Sequence, residues 1–362
     1  ITGAAGAADI GDGSEPTDDA LADAALPPAE IFRAYDIRGI VDRQLNVDVA
    51  RAIGRAIGSE IRDLGETEAV IGRDCRASSP SLRAALTEGL GACGLEVVDL
   101  GIVPTPVVYF ACNHPRRRSG AMVTASHNPP DYNGVKPVLA GESPAADGNA
   151  ALRTRLLQGD LATGRGGYRK DDLREAYMDY VEHDVALARP LELVLDCGNG
   201  STSEIAPMLF RRLGCEVVER NCDIDGGMEG QMSDPSVPEQ LRGLGEAVRA
   251  QGADLGLAFD GDGDRLGVVD SNGGFIAADR LLMLLAADVL ARNPGSDVVF
   301  DVKCTRHLAA EIRRAGGRPI MWRSGHAPLK AKLKESGALI AGELTGHLIF
   351  AERWFGFDDA LY

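Results

Sequence analysis

The sequence predicts an α/β fold of three topologically similar, βαβ-based mixed-sheet domains around a shared central cleft. Two observations carry this expectation. A strand–helix–glycine–strand unit occurs three times in the 362 residues, which is the signature of parallel pairing with a crossover helix. Each unit is followed by a strand of small residues that runs into a loop dense in polar groups. In open α/β sheets ligands collect at the carboxyl ends of strands, so three such loops imply one common site.

The elements follow in order. Residues 1–28 contain Ala, Gly, Asp and Glu but no Lys, Arg or aromatic residue, a composition that cannot bury a core, and they read as a disordered acidic linker. The chain begins at Ile, which reads as a segment cut from a longer protein. The first unit has strands Glu68–Asp74 and Leu95–Leu100 with a helix closing near Gly94, and Ser119–Val123 then leads into Thr-Ala-Ser-His-Asn-Pro. The second has Leu191–Asp196, a helix to Leu213, then Cys215–Glu219, and Ala253–Phe259 leads into Asp-Gly-Asp-Gly-Asp-Arg. The third has Val298–Asp301, a helix to Ala315, then Arg318–Trp322, and Gly337–Ala341 leads into Gly-Glu-Leu-Thr-Gly-His. The expected domains are 29–170, 171–275 and 276–362, the last incomplete at its C-terminus.

Composition narrows the partners. A formal net charge of −16 argues against nucleic acid, which demands a broad basic surface. An acidic protein that handles an anion must concentrate its few cations in one cleft. Seven scattered cysteines without a Cys-x-x-Cys pair favour a reducing, cytoplasmic setting over zinc or a disulfide framework. The longest apolar stretch, about Leu281–Leu290, is too short to span a bilayer, and no signal peptide is visible.

Asp260, Asp262 and Asp264 alternate with glycines, which lets the backbone turn sharply enough for three carboxylates to meet one hard cation; oxygen ligands suit Mg²⁺. An EF-hand fails, because its sixth position is Arg265 and its twelfth Ser271. Arg265 is placed to partner phosphate or carboxylate oxygens. Ser126 on its own reads equally as a turn residue or a nucleophile, and His127 as a loop donor or a site residue. The metal loop and the cations Arg38 and Lys136 shift Ser126 toward phosphate chemistry. In the third loop Glu343, Thr345 and His347 alternate, so an extended backbone would present all three on one face suited to sugar hydroxyls; an ordinary polar loop is the other reading.

Taken together, Phe32–Gly39 (FRAYDIRG), Thr124–Lys136 (TASHNPPDYNGVK), Leu257–Arg265 (LAFDGDGDR), Asp301–Thr305, Ser324–Ala327, the Glu343–His347 loop and Glu352–Asp359 (ERWFGFDD) resemble the α-D-phosphohexomutase superfamily, closest to its bacterial phosphomannomutase/phosphoglucomutase branch. The resemblance covers about Ile31–Tyr362. It implies that Ser126 is a phosphoserine whose phosphate completes Mg²⁺ coordination at the three aspartates. It further implies that Arg38 and Lys136 assist proton transfer, and that Arg265 and His127 stabilise charge. Tyr35 would line the cleft, and Lys303, His326, Glu343, Thr345 and His347 would hold the sugar.

The implied reaction interconverts hexose 1- and 6-phosphates of glucose and mannose, with glucose 1,6-bisphosphate as intermediate and activator. Two departures accompany the resemblance. Leu344-Thr345 replaces the usual Met-Ser, keeping the hydroxyl, and the chain ends before the family's fourth, phosphate-clamping domain, which predicts weak affinity and low activity. Three rivals remain: a phosphoglucosamine mutase, a Mg²⁺-dependent phosphatase, and a non-catalytic sugar-phosphate-binding module.

Overall fold

The computed structural model describes residues 26–113, 117–144, 146–224 and 234–362. Residues 1–25, most of the expected linker, lie outside the described residues.

The first domain contains β1 (Ile37–Ile40), α1 (Val47–Asp63), β2 (Glu68–Arg73), α2 (Ser79–Gly91), β3 (Glu96–Ile102), α3 (Thr105–Cys112), β4 (Gly120–Val123), β5 (Tyr132–Val138), α4 (Ala146–Gln158) and β6 (Tyr168–Lys170). The second contains α5 (Arg174–Asp184), β7 (Glu192–Asp196), α6 (Ile205–Arg212), β8 (Glu216–Arg220), α7 (Arg242–Gln251), β9 (Leu255–Phe259), β10 (Leu266–Asp270) and β11 (Phe275–Ile276). The third contains α8 (Ala278–Arg292), β12 (Asp297–Asp301), α9 (Arg306–Arg314), β13 (Arg318–Trp322), α10 (His326–Ser336), β14 (Ile340–Gly342) and β15 (Leu348–Phe350).

The sheets repeat one wiring. Their orders are β1-β5-β4-β2-β3-β6, β11-β10-β9-β7-β8 and β13-β12-β14-β15. Within each, a central strand (β2, β7 or β12) pairs in parallel with the strands on both sides, and the third strand pairs antiparallel with a fourth. The three polar loops occupy equivalent places, between β4 and β5, β9 and β10, and β14 and β15. The repeat expected from sequence is therefore a repeat of topology.

Local chemistry explains the elements. Asn46 caps α1 by accepting from the amides of Asp48 and Val49, and Val49, Ile53, Ile57 and Ile61 recur every four residues to form its buried stripe. Thr305 caps α9 in the same way, with Leu308 and Ile312 inward and Arg313 and Arg314 at the C-terminal end, where cations suit the helix dipole. The predicted strand at Gly337–Ala341 starts only at Ile340. Gly337 instead adopts a left-handed conformation that ends α10 (φ 68°).

A continuous apolar cluster joins the domains: Val107 and Tyr109 from the first, Leu195, Leu209 and Phe259 from the second, and Trp354 and Phe357 from the segment after β15. Shared burial of this kind fixes the loops relative to one another. No helix among the described residues is long and apolar enough to cross a membrane.

Candidate active site

Ser126 sits on the turn after β4, whose four residues are all buried. Its backbone has φ +51°, left-handed for a residue with a side chain. Its amide donates to Thr124 Oγ1 (2.9 Å), and its Oγ donates to Asp260 Oδ2 across the domain boundary (2.5 Å). The first two repeats thus meet at this contact.

The carboxylates of Asp260, Asp262 and Asp264 are fully buried. The loop folds on itself as the amides of Asp264 and Arg265 both donate to Asp260 Oδ1 (3.2 Å each). Thr105, at the start of α3, donates its hydroxyl to Asp262 Oδ2 (2.5 Å), so the first domain also grips this loop. One ligand oxygen from each aspartate lies within 4.8 Å of the others. Oδ1 of Asp262 and Oδ1 of Asp264 are buried without a hydrogen-bond partner among the described residues. Clustered oxygens with unused lone pairs fit a hard divalent cation such as Mg²⁺.

Lys136, from β5, extends its ammonium to 2.5 Å from Oδ2 of both Asp262 and Asp264. Burial opposes its charge, yet the two carboxylates outweigh burial and hold its pKa well above the usual lysine value. Asp260 is affected oppositely: burial, then repulsion from Asp264 and Asp262, pushes its pKa well up.

The third loop departs from the expected extended form. Glu343 N donates to His347 O (2.9 Å) and Gly346 N to Glu343 O (3.0 Å), with Gly346 at φ +99°. This is a tight reverse turn, required because β14 and β15 are antiparallel neighbours joined by a few residues. Glu343 and His347 are nevertheless both buried, and Thr345 Oγ1 is buried without a partner among the described residues.

His347 Nε2 accepts from Arg265 Nε (3.0 Å), and its Nδ1 lies 2.7 Å from Asp358 Oδ2. Because a guanidinium can only donate, the imidazole proton belongs on Nδ1, which lies close to Asp358 Oδ2 without being aligned for a hydrogen bond among the described residues. His326 stacks on His347 with ring centroids 5.1 Å apart. Burial, then Lys330, lowers the His326 pKa well below the usual value, so it is neutral near pH 7.

Tyr35 packs edge-on against His326 (5.8 Å) and donates its hydroxyl to Ser324 O (2.9 Å). Next to it Gly325 has φ +117°, and a Cβ there would come within 2.4 Å of the Tyr35 ring.

The remaining expected residues divide. Arg38 donates to Asp36 and to Asn128 of the serine loop, which ties β1 to that loop. His127 turns to Asp234 (3.1 Å), which also lies 4.0 Å from Arg265 Nη1. Lys303 is exposed on the turn between β12 and α9 and has no hydrogen bond or ion pair among the described residues.

Sequence reasoning missed several residues. Asp358 is fully buried and collects Lys330 (2.7 Å) as well as His347. It lies in a segment used only for resemblance, and its partners stand 28 and 11 positions away in the chain. Thr105 and Arg76 were also missed. The cation concentration demanded by a net charge of −16 was the available signal for Arg76 and Lys330.

Comparison with known proteins agrees with this geometry. Family models described as phosphoglucomutase/phosphomannomutase α/β/α domains I, II and III match residues 29–159, 175–273 and 277–362. A phosphomannomutase/phosphoglucomutase of Pseudomonas aeruginosa is 53% identical over 335 residues, 92% of this chain and 72% of that protein. A phosphoglucomutase of Neisseria gonorrhoeae is 46% identical over 92% of this chain and 73% of its own length. The crystal structure of a phosphoglucomutase/phosphomannomutase family protein from Burkholderia thailandensis superposes with a TM-score of 0.90 at 50% identity, covering 92% of this chain and 74% of that one. Three α/β/α domains and relatives of this name place the protein among phosphotransferase mutases that act on hexose phosphates. The chain belongs to the phosphoglucomutase/phosphomannomutase family of the α-D-phosphohexomutase superfamily.

Proposed function

We propose that the chain interconverts the 1- and 6-phosphates of glucose and mannose through a phosphoserine at Ser126 and a hexose 1,6-bisphosphate. The observation that carries this reading is the Ser126 Oγ–Asp260 Oδ2 contact of 2.5 Å, which puts a buried hydroxyl against a cluster of three carboxylates. Asp260, Asp262 and Asp264 would hold Mg²⁺, completed by a phosphate oxygen on Ser126. When bound there, Mg²⁺ supplies electrophilic stabilisation of phosphoryl oxygens.

In the forward step the bond between phosphorus and Ser126 Oγ breaks, and a bond forms to the free sugar hydroxyl, which loses its proton. Arg38 and Lys136 neutralise the charge and assist the proton's departure, with Asp36, paired to Arg38, available to receive it. The bisphosphate then turns round and returns its other phosphoryl group to Ser126. Glucose 1,6-bisphosphate also serves to load the serine.

The sugar is held by the third domain. Glu343 and Thr345 take the O3 and O4 hydroxyls, in keeping with the buried, unpartnered Thr345 Oγ1. His326, His347, Lys303 and Tyr35 complete the contact, and Arg265 and His127 compensate charge. A site that reads O3 and O4 has no means of telling glucose from mannose, which differ at C2. Intact mass and peptide mapping test this: phosphate resides on Ser126, leaves on addition of glucose 6-phosphate, and is absent from Ser126→Ala. Phosphate on another residue, or release as free phosphate, refutes it.

A further inference from the structure

We propose that Arg76 is the positioning residue that sets Ser126 for transfer; this rests on Ser126 being the phosphate-carrying nucleophile. Arg76 follows β2 and is 3% exposed. Its guanidinium donates to four main-chain carbonyls of the serine loop and its exit: Ser126 O (2.8 Å), Asn128 O (2.6 Å), Pro129 O (2.7 Å) and Tyr132 O (3.0 Å). Its charge is balanced by buried Asp74 at 3.3 Å.

Asp74 is itself fixed from both ends of the loop. Its backbone amide donates to Val123 O (3.0 Å), and its Oδ1 accepts from Ser79 Oγ (2.5 Å). Ser79 Oγ in turn accepts from Asn133 Nδ2 (2.9 Å) at the start of β5.

Two consequences follow for Ser126. Its left-handed φ of +51° is disfavoured for serine and persists where surrounding bonds over-determine it; Arg76 supplies one of these directly, at Ser126 O. The carbonyl oxygens that Arg76 gathers are turned toward a cation, so their negative ends do not compete with a phosphate on Oγ. Only a planar fork can serve four acceptors from two terminal nitrogens. A lysine keeps the charge but has three donors on a single nitrogen.

The test loads the full chain with radiolabelled glucose 1,6-bisphosphate and follows single-turnover transfer from Ser126 to glucose 6-phosphate. In Arg76→Lys the maximal transfer rate falls about 10²-fold, the loss typical of a misplacement of about 1 Å. The half-saturating sugar concentration stays within twofold, because Arg76 bonds to none of the residues that hold the sugar. A folded Arg76→Lys or Arg76→Gln variant with an unchanged maximal rate, or one that changes only half-saturation, overturns the proposal.

Ser126→Ala keeps the two claims apart. If it still takes up label, the nucleophile reading falls and the proposal with it; an unlabelled Ser126→Ala beside a full-rate Arg76→Lys overturns the proposal alone. If neither Arg76 variant folds, hydrogen exchange on the wild-type chain decides. The proposal requires the amides of residues 126, 128 and 132 to exchange as slowly as those of β4, and exchange a hundredfold faster overturns it.

Discussion

Asp358 Oδ2 and His347 Nδ1 stand 2.7 Å apart, while the other carboxylate oxygen of Asp358 accepts from Lys330 at 2.7 Å. Burial works against a charged Asp358, but Lys330 and then the close His347 imidazole outweigh it and hold the carboxyl well below its usual range. The pair places His347 with its Nε2 against Arg265, which carries an ordering contact from the third domain to the aspartate loop.

Replacing Asp358 by Asn leaves a buried ammonium without its counter-charge, which costs about 3 kcal/mol. It also loosens the imidazole, lowering transfer about tenfold to a hundredfold. Adding Lys330→Met should recover most of the stability without the rate. Urea melts beside transfer rates check this, and recovery of both together would show that Asp358 matters only for folding.

Cation binding should release protons. The pKa of Asp260 is pushed well above the ordinary carboxylate range by burial and by its two neighbours, and the cation needs its charged form. Apparent Mg²⁺ affinity therefore rises with pH across the region above pH ~4 until Asp260 is ionised, by at most about tenfold per unit for one proton. Titration calorimetry in buffers of different ionisation enthalpy measures the proton count. A heat independent of the buffer would contradict this.

Lys136 should compete with the cation. Its ammonium lies 2.5 Å from oxygens of both Asp262 and Asp264, so Lys136→Met exposes those oxygens and tightens Mg²⁺ binding, by about tenfold for a partly screened charge pair. The same change should abolish measurable phosphoryl transfer. Weaker binding in the variant would mean that the lysine organises the carboxylates and does not oppose the ion.

Stability should fall as the solution is made alkaline, through Asp359. Burial pushes its pKa up to about 7, although the amides of Tyr362 and Leu361 and the hydroxyl of Tyr177 bond to it. A raised folded-state pKa gives stability that is full below pH ~4 and is lost progressively as pH rises to about 7, on the order of 4 kcal/mol. Asp359→Asn, neutral throughout, should flatten this loss. Thermal melts of both proteins at pH 5 and pH 8 decide, and parallel profiles would rule Asp359 out.

Legibility in the sequence followed the range of each interaction. The three strand–helix–strand units could be read because their signals are local: apolar runs, C-cap glycines, and polar loops at fixed distances behind them. Asp260, Asp262 and Asp264 were readable for the same reason, since three ligands share five residues. Asp358 was not, because its meaning depends on Lys330 and His347, which only the packing of α10 and β15 brings to it. Arg76 carried no signal of its own, for nothing in Arg-Asp-Cys-Arg announces that a loop 50 residues later will turn its carbonyls inward. The Glu343–His347 loop was misread as extended because its shape is set by antiparallel pairing across it, a long-range fact that overrides local alternation.

The contact between Tyr35 and Ser324–Gly325 has a consequence for turnover. One ring and one hydrogen bond to main chain join the first domain to the third at this point, with no side chain at Gly325 to interlock. The Gly325 backbone meets the Tyr35 ring directly, and any Cβ there would push the two segments apart. For the proposed bisphosphate, which would have to swing end for end, this contact would set the width of the cleft at that edge by backbone instead of by an interlocked side chain.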